Sequence, residues 1–412
     1  MQQDHRQILE SLYQAALDRV AGAAAVRHQL ERDGLQGDVA LIAIGKAASS
    51  MTHGALDVLG EQLTAGLVIT KHAHLSERCR LDERLTCLQS SHPIPDETTL
   101  RAGDSLLDFI AAQPRDRQLL VLVSGGASSL VDVLPSGYGL DELSALNQWL
   151  LSRHLDIGRM NAIRRGISCI KGGRLASYLQ GRRTRLLLIS DVPGDEPWVI
   201  GSGLLVPPGP AAPLPDDLPD WVHAMISAAP PLPAEDDPAF ATIRRTIVAS
   251  NSQARAAVVR KAEQLGLPVV AHDALLEGDA LEAAERIAHA VLHGPVGIQV
   301  WGGEPTVALP DKPGRGGRAQ ALALRAAMIF EGGHDVWLLA AGTDGTDGPG
   351  EDAGAIVDNM TCQRGRQAGL DPDDCLDAAD SGTFLDASGD LLRTGPTGTN
   401  VMDVVISLKV SL

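Results

Sequence analysis

The chain has 412 residues and carries 35 Lys+Arg against 52 Asp+Glu, a net charge of −17 that argues against nucleic acid or an anionic membrane surface as the main partner. That length exceeds one ordinary core, so two α/β-sized domains are expected. The polar start MQQDHRQILE shows no secretory signal and no apolar run is long enough to span a membrane, so a cytoplasmic protein is expected; the five scattered cysteines lack any CxxC pair and imply neither a disulfide framework nor a zinc site.

The first segment places Leu9, Leu12, Tyr13, Ala16 and Val20 on one helical face, which should pack on a sheet. Asp38 to Lys46 then reads as a buried strand running into Gly45 and Lys46, with a helix opening at Ala47 and reaching about Leu59. A lysine at such a turn, beside helix N-terminal amides, suits an anion. It is not a Walker A loop, because the first glycine of that motif would fall on Ala40 and the residue after the lysine is Ala47. Two further strands, Gly66 to Thr70 and Leu85 to Ser90, are followed by loops holding His72, His74 and His92, whose spacing is not that of a helical metal pair.

After a helix from Glu97 to Ala112 comes a strongly apolar strand from Gln118 that ends in Ser124, Gly125, Gly126, Ala127, Ser128 and Ser129. Two glycines with three hydroxyls can nest an oxyanion, preferably phosphate; the alternative is a tight turn that needs glycine. The helical tract Leu140 to Leu179 carries Asn161, Arg164, Arg165, Lys171 and Arg174, some of them expected to face a cleft. Thr184 to Asp195 repeats the pattern, a buried strand delivering Asp191 and Asp195 around a Pro-Gly turn. Prolines crowd residues 207–238, which read as a linker or an irregular excursion closing the first domain, so the expected domains are 1–237 and 238–412.

The second half alternates again. Strand Gly297 to Trp301 ends in Gly302, Gly303 and Glu304, and GRGGRAQ (314–320) opens an Ala- and Leu-rich helix with Arg318 at its start. Val336 to Gly348 is an apolar strand ending in Gly342, Thr343, Asp344, Gly345 and Asp347, and TGPTGTN (394–400) leads into a last strand from Val401 to Leu408. Six such strand-end loops are expected to converge at one sheet edge. Their anion-nesting glycines, carboxylates, one lysine and one arginine match the needs of phosphoryl transfer, which rests on positioning and charge neutralisation. No GxSxG elbow supports a hydrolase, and no GxGxxG follows a strand to support nicotinamide chemistry.

The motifs IGKAASSM (44–51), SGGASSL (124–130), IKGGRLA (170–176), ISDVPGDEPWVIGSG (189–203), WGGEPTV (301–307), GRGGRAQALAL (314–324), AAGTDGTDGPGEDAGAIVD (340–358) and TGPTGTNVMDVVI (394–406) resemble, in order, those of the glycerate 2-kinases of the MOFRL class. The resemblance implies two α/β domains, a Rossmann-like parallel sheet and a second α/β domain, with an interdomain cleft in which ATP and a divalent metal phosphorylate the 2-hydroxyl of D-glycerate. It implies cleft roles for Lys46 and Arg318. Asp191 is the expected base, and Mg²⁺ is expected near Asp195, Glu304, Asp344 or Asp347. Ser124, Gly125, Gly126, Ser128, Gly302, Gly303, Gly342, Thr343, Asp344 and Gly345 are expected to bind nucleotide phosphates or substrate oxygens. The chain departs from the family's usual Asn-Gln-Glu after the arginine, with Ala319, Gln320 and Ala321, and has Leu204, Leu205 and Val206 where the family continues Pro-Thr-Val. Some relatives carry a hydroxypyruvate reductase label, so an NAD(P)H-dependent reductase and a non-catalytic phosphosugar-binding regulator stand as alternatives. The sequence leaves both a monomer and a homo-oligomer open.

Overall fold

The computed structural model describes residues 2–410 apart from His154, Asp156, Ala211 and His334. It divides into two compact units, residues 22–248 and residues 1–21 with 249–412.

The unit of residues 22–248 is built on a six-stranded sheet of β1 (Val39–Ile44), β2 (Leu63–Lys71), β3 (Leu85–Ser90), β4 (Gln118–Val123), β5 (Thr184–Ile189) and β6 (Ile243–Ala249), in the order β3-β2-β1-β4-β5-β6. The pairings from β3 through β5 are parallel. β1 is buried at every position and β4 at all but its first, as expected for apolar runs covered on both faces by helices. The order reverses direction between β1 and β4, and a parallel sheet opens a crevice beyond its carboxyl ends at such a reversal. Ile44 pairs with Val123 there, so the loops opening at Gly45 and Ser124 leave the sheet side by side.

The proline-rich stretch is not a linker between domains. Its helix Asp220–Ala228 buries Val222 and Met225 against Leu143, Leu146, Leu150, Ile163 and Ile167, and the chain then adds β6 to the first sheet. The division therefore falls at residue 249 instead of 238. Leu204, Leu205 and Val206, the departures after the SG pair, are core residues of this unit.

The other unit carries a mixed sheet of β7 (Val269–Ala271), β8 (Gly297–Gly303), β9 (Val336–Gly342), β10 (Gly354–Asp358), β11 (Leu391–Leu392) and β12 (Asp403–Lys409), in the order β11-β10-β9-β12-β8-β7. β12 runs antiparallel to both β8 and β9, so its first residue, Asp403, pairs with Gly303 on one side and Gly342 on the other. The carboxyl ends of β8 and β9 and the start of β12 thus share one edge. The N-terminal helix Gln2–Val20 belongs to this unit and not to the domain that follows it in sequence. Its stripe of Leu9, Leu12, Tyr13, Ala16 and Val20 is buried as the helical spacing predicts. The helix Arg318–Phe330 is buried almost all round, and Ala319 and Ala321 lie in its packed faces.

Candidate functional site

In the first unit the sequence-predicted residues at the β1/β4 crevice come together. The Lys46 amide donates to the Gly125 carbonyl at 2.9 Å, and the Ala47 amide donates to the Ser124 hydroxyl at 3.1 Å, which ties the two loops into one platform. Ser124 is thereby a buried brace and not an open ligand hydroxyl. The amides of Gly125 and Gly126 have no intramolecular acceptor among the described residues, the arrangement that nests an oxyanion. Gly126 adopts a left-handed φ of 83°, for which glycine is suited. Gly125 serves a different need: a β-carbon there would collide with the Asp191 carboxylate. The carboxylate of Asp191, delivered by the end of β5, consequently rests against the nest. Asp195 lies beyond it with a φ of 55°, within the turn closed by its own amide on the Val192 carbonyl.

Lys46 is half-buried, and its ammonium has no hydrogen bond or ion pair to another described residue. Its stem and the ring of His92 flank Gly126, at 3.2 and 3.0 Å from where a β-carbon would stand. Burial, then the charge of Lys46, pulls the His92 imidazole down to about 4, so it is neutral at physiological pH. Ser128 shares a 2.7 Å hydrogen bond with the Ser202 hydroxyl from the IGSG turn.

In the second unit the shared edge of β8, β9 and β12 gathers Arg318, Glu304, Asp403, Asp344 and Asp347. Arg318 meets Asp403 through two hydrogen bonds, Nε to Oδ2 at 2.7 Å and an Nη to Oδ1 at 2.9 Å, and Glu304 at 2.8 Å. Burial lowers the guanidinium's proton affinity, but the bond and charge of Asp403 outweigh it and raise the net value. Burial also pushes the Asp403 carboxyl up although Arg318 opposes it. The two bonds have the geometry of an ionised fork pair, and we assign the carboxylate form on that ground.

Asp347 is 4% exposed, and its two oxygens accept from the amides of Ala319 and Gln320 at 3.1 and 2.8 Å. It caps the helix that carries Arg318, the local turn role that Asp often has. Burial and then Asp403 push it up to about 6. Asp344 is half-buried, with Oδ1 accepting from the Thr346 amide and hydroxyl. Among the described residues no group of three or more His, Cys, Asp or Glu could hold a metal ion. Within the second unit, Glu304, Asp344 and Asp347 therefore form no all-protein cage among the described residues.

Several predicted binding residues turn out to lace this edge together. The Thr343 hydroxyl donates to the Met402 carbonyl and accepts from the Val401 amide, and the Thr397 hydroxyl donates to the Thr343 carbonyl. Gly302 has no room for a β-carbon because the Asn251 amide lies against it, and the Gly302 carbonyl accepts from Leu276. Gly303 faces the Leu276 backbone, and Gly345 faces the Gly395 carbonyl. Gly342 accepts from Tyr13. Sequence reasoning missed Asp403 as a site residue, although an aspartate inside the apolar run VMDVVI is itself a signal, since buried charges are rare unless paired.

Two family models match the chain: a domain of unknown function (DUF4147) over residues 8–213 and the MOFRL family over residues 297–403. A D-glycerate 2-kinase of Thermotoga maritima is 34% identical, covering 90% of this chain and 91% of that protein. A protein of Agrobacterium vitis bearing a hydroxypyruvate reductase name is 36% identical over 97% of this chain and 93% of its own. The crystal structure of a Thermotoga maritima glycerate kinase superposes with a TM-score of 0.88 at 31% identity, covering 99% of this chain and all of that one. A Pyrococcus horikoshii structure superposes at 0.80 and 30% identity, with 99% of each chain covered. Kinship at this level over nearly the whole chain, with the family's glycines and charged residues at the carboxyl ends of both sheets, means that this protein belongs to the glycerate 2-kinase family of the MOFRL class.

Proposed function

We propose that this protein transfers the γ-phosphoryl group of ATP to the 2-hydroxyl of D-glycerate. The observation that carries the reading is the crevice beside Gly125 and Gly126, whose open amides, with the Lys46 stem and the Asp191 carboxylate against these glycines, bring an anion nest, a cationic side chain and a proton acceptor to one place. In this reading Asp191 accepts the proton of the attacking hydroxyl and Lys46 neutralises charge on the transferred group. Arg318, already held by Asp403 and Glu304, orders the second unit's loops and presents a cation whose position is fixed by that pair.

Mg²⁺ suits this chain as a nucleotide-borne ion, because it takes one or two carboxylates and otherwise keeps phosphate oxygens and water. Asp344 fits best, one of its oxygens being engaged within its own turn and the other having no hydrogen bond to a described residue. When bound, the metal would supply positive charge against the phosphate oxygens of the nucleotide.

The test is an ADP-release assay with ATP and D-glycerate, run beside an NAD(P)H assay with hydroxypyruvate. ADP release without NAD(P)H oxidation is expected. Oxidation without ADP release would establish a reductase, and ligand-induced stabilisation with no turnover in either assay would establish a binding protein.

A further inference from the structure

One cavity of about 180 Å³ lies entirely within the first unit, between the nest and the helices Leu140–Ser152 and Ile157–Gly166. Gly126 and His92 form one wall, so the cavity adjoins the stem of Lys46. At ~30 Å³ for each water molecule it holds the volume of about six waters. A three-carbon acid fits such a space.

Its charges do not cancel. Lys171, 2% exposed, donates to Asp132 Oδ2 at 2.5 Å, and Asp132 Oδ1 accepts from the Ser168 hydroxyl at 2.6 Å and the Val133 amide at 2.9 Å. That carboxylate is satisfied and neutralised by one lysine. His92 is uncharged at neutral pH. Arg164 is left as the surplus cation, with one long hydrogen bond, 3.4 Å to Asn147 Oδ1, among the described residues. Asn147 is itself fixed by donating to the Leu143 carbonyl at 3.0 Å. A planar fork of donors in a half-apolar pocket is suited to a carboxylate, which it can bind through two parallel hydrogen bonds. Arg318 is poorly placed for that task, because three of its nitrogens already meet Asp403 and Glu304.

We infer that this cavity is the carboxylate subsite for the acceptor and that Arg164 is the residue that selects a small 2-hydroxy acid over a neutral polyol. The inference rests on the kinase reading and adds the substrate's orientation: carboxylate at Arg164, reacting hydroxyl toward the crevice of Lys46 and Asp191.

Steady-state kinetics of Arg164→Gln and Arg164→Lys test it. Loss of a charge-assisted fork should raise the KM for D-glycerate by roughly tenfold to a hundredfold, with the lysine variant in between and the KM for ATP within about twofold of wild type. Should Arg164→Gln fail to fold, Asn147→Asp sets a carboxylate against the same guanidinium at nearly constant side-chain size and carries the same expectation. Calorimetric titration with D-glycerate reads the subsite without turnover. An unchanged glycerate KM and affinity in a folded variant overturns the inference, and so does an equal rise in both KM values. Wild-type protein that binds D-glycerate through Arg164 yet releases no ADP would leave the subsite standing and overturn the kinase reading instead.

Discussion

Tyr13 and Gly342 stand 329 positions apart in the chain, and the tyrosine hydroxyl donates to the glycine carbonyl at 2.7 Å. The bond fixes the N-terminal helix to the carboxyl end of β9, where the GTDG loop begins. Burial, then Asp403 and Asp344, raises the phenol's pKa, so the hydroxyl remains a donor at any working pH. Gly342 also accepts from the Gly345 amide at 3.2 Å and keeps one partner if the hydroxyl is removed. Tyr13→Phe should therefore cost only about 1 kcal/mol in urea unfolding, near the net worth of one hydrogen bond. Tyr13→Ala should cost about 3 kcal/mol or more, because it also empties a packed site.

Arg318 and Asp403 should respond unequally to substitution. Arg318→Ala leaves Asp403, 3% exposed, as an uncompensated buried charge, and breaking a buried pair in that way costs about 3–5 kcal/mol. A cleft role alone would make such a variant lose turnover without unfolding, and the pairing with Asp403 adds a cost in stability. Lys46→Ala removes no partner from a described residue, so it should lower turnover by orders of magnitude at nearly wild-type stability. Thermal unfolding measured beside ADP release separates the two.

The pH dependence of stability carries two opposite signatures. Asp347 is pushed up to about 6, above its unfolded value of about 3.9, so between those values the folded state keeps a proton that the unfolded state has released. Its contribution is fully present below about pH 4 and is lost as pH rises through 6, with a magnitude on the order of 3 kcal/mol. Asp347→Asn keeps an oxygen for the helix amides and should remove that slope, which urea unfolding at pH 4.5 and 7 measures. His92 works in reverse. Its folded value of about 4 lies below the unfolded ~6.5, so its contribution is present above pH 6.5 and is lost as pH falls through 4. Its ring resonances should show no titration between pH 6 and 8.

What could be read from sequence was what depends on local pattern. The apolar run before Gly45, the one before Ser124 and the one before Gly342 are strands because each is buried on both faces, and the residues after the first two are where a parallel sheet presents ligands. What was missed depends on distant partners. No local signal says that Tyr13 will meet Gly342, so the first helix was expected with the wrong domain. Proline content between residues 207 and 238 hid the apolar spacing of Leu218, Val222, Met225 and Ile226, which docks that segment on two helices. The short strands β10 and β11 went unseen because Gly354–Asp358 follows a polar, glycine-rich run and Leu391–Leu392 spans two residues. The single edge expected for all six loops is instead divided between two sheets, and in the second of them β12 enters antiparallel, so a loop preceding a strand, not following one, supplies Asp403.

The remaining expectation concerns Asp191 and the glycine beneath it. A general base must reach the hydroxyl it deprotonates, and the position of this carboxylate depends on Gly125 having no side chain. Asp191→Asn should abolish most turnover while nucleotide affinity stays, because the amide keeps the size of the side chain and loses its basicity. Gly125→Ala should do the same by displacement, since the new methyl would occupy the space the carboxylate now fills. Asp344→Asn should instead recover part of its lost activity as Mg²⁺ is raised, as expected when a ligand of the metal's shell is weakened. Turnover measured across a Mg²⁺ series, with nucleotide affinity measured in parallel, tells displacement of the base from weakening of the metal. Full activity in Asp191→Asn at every Mg²⁺ level would assign the proton to another acceptor, and the crevice would then act through charge and positioning alone.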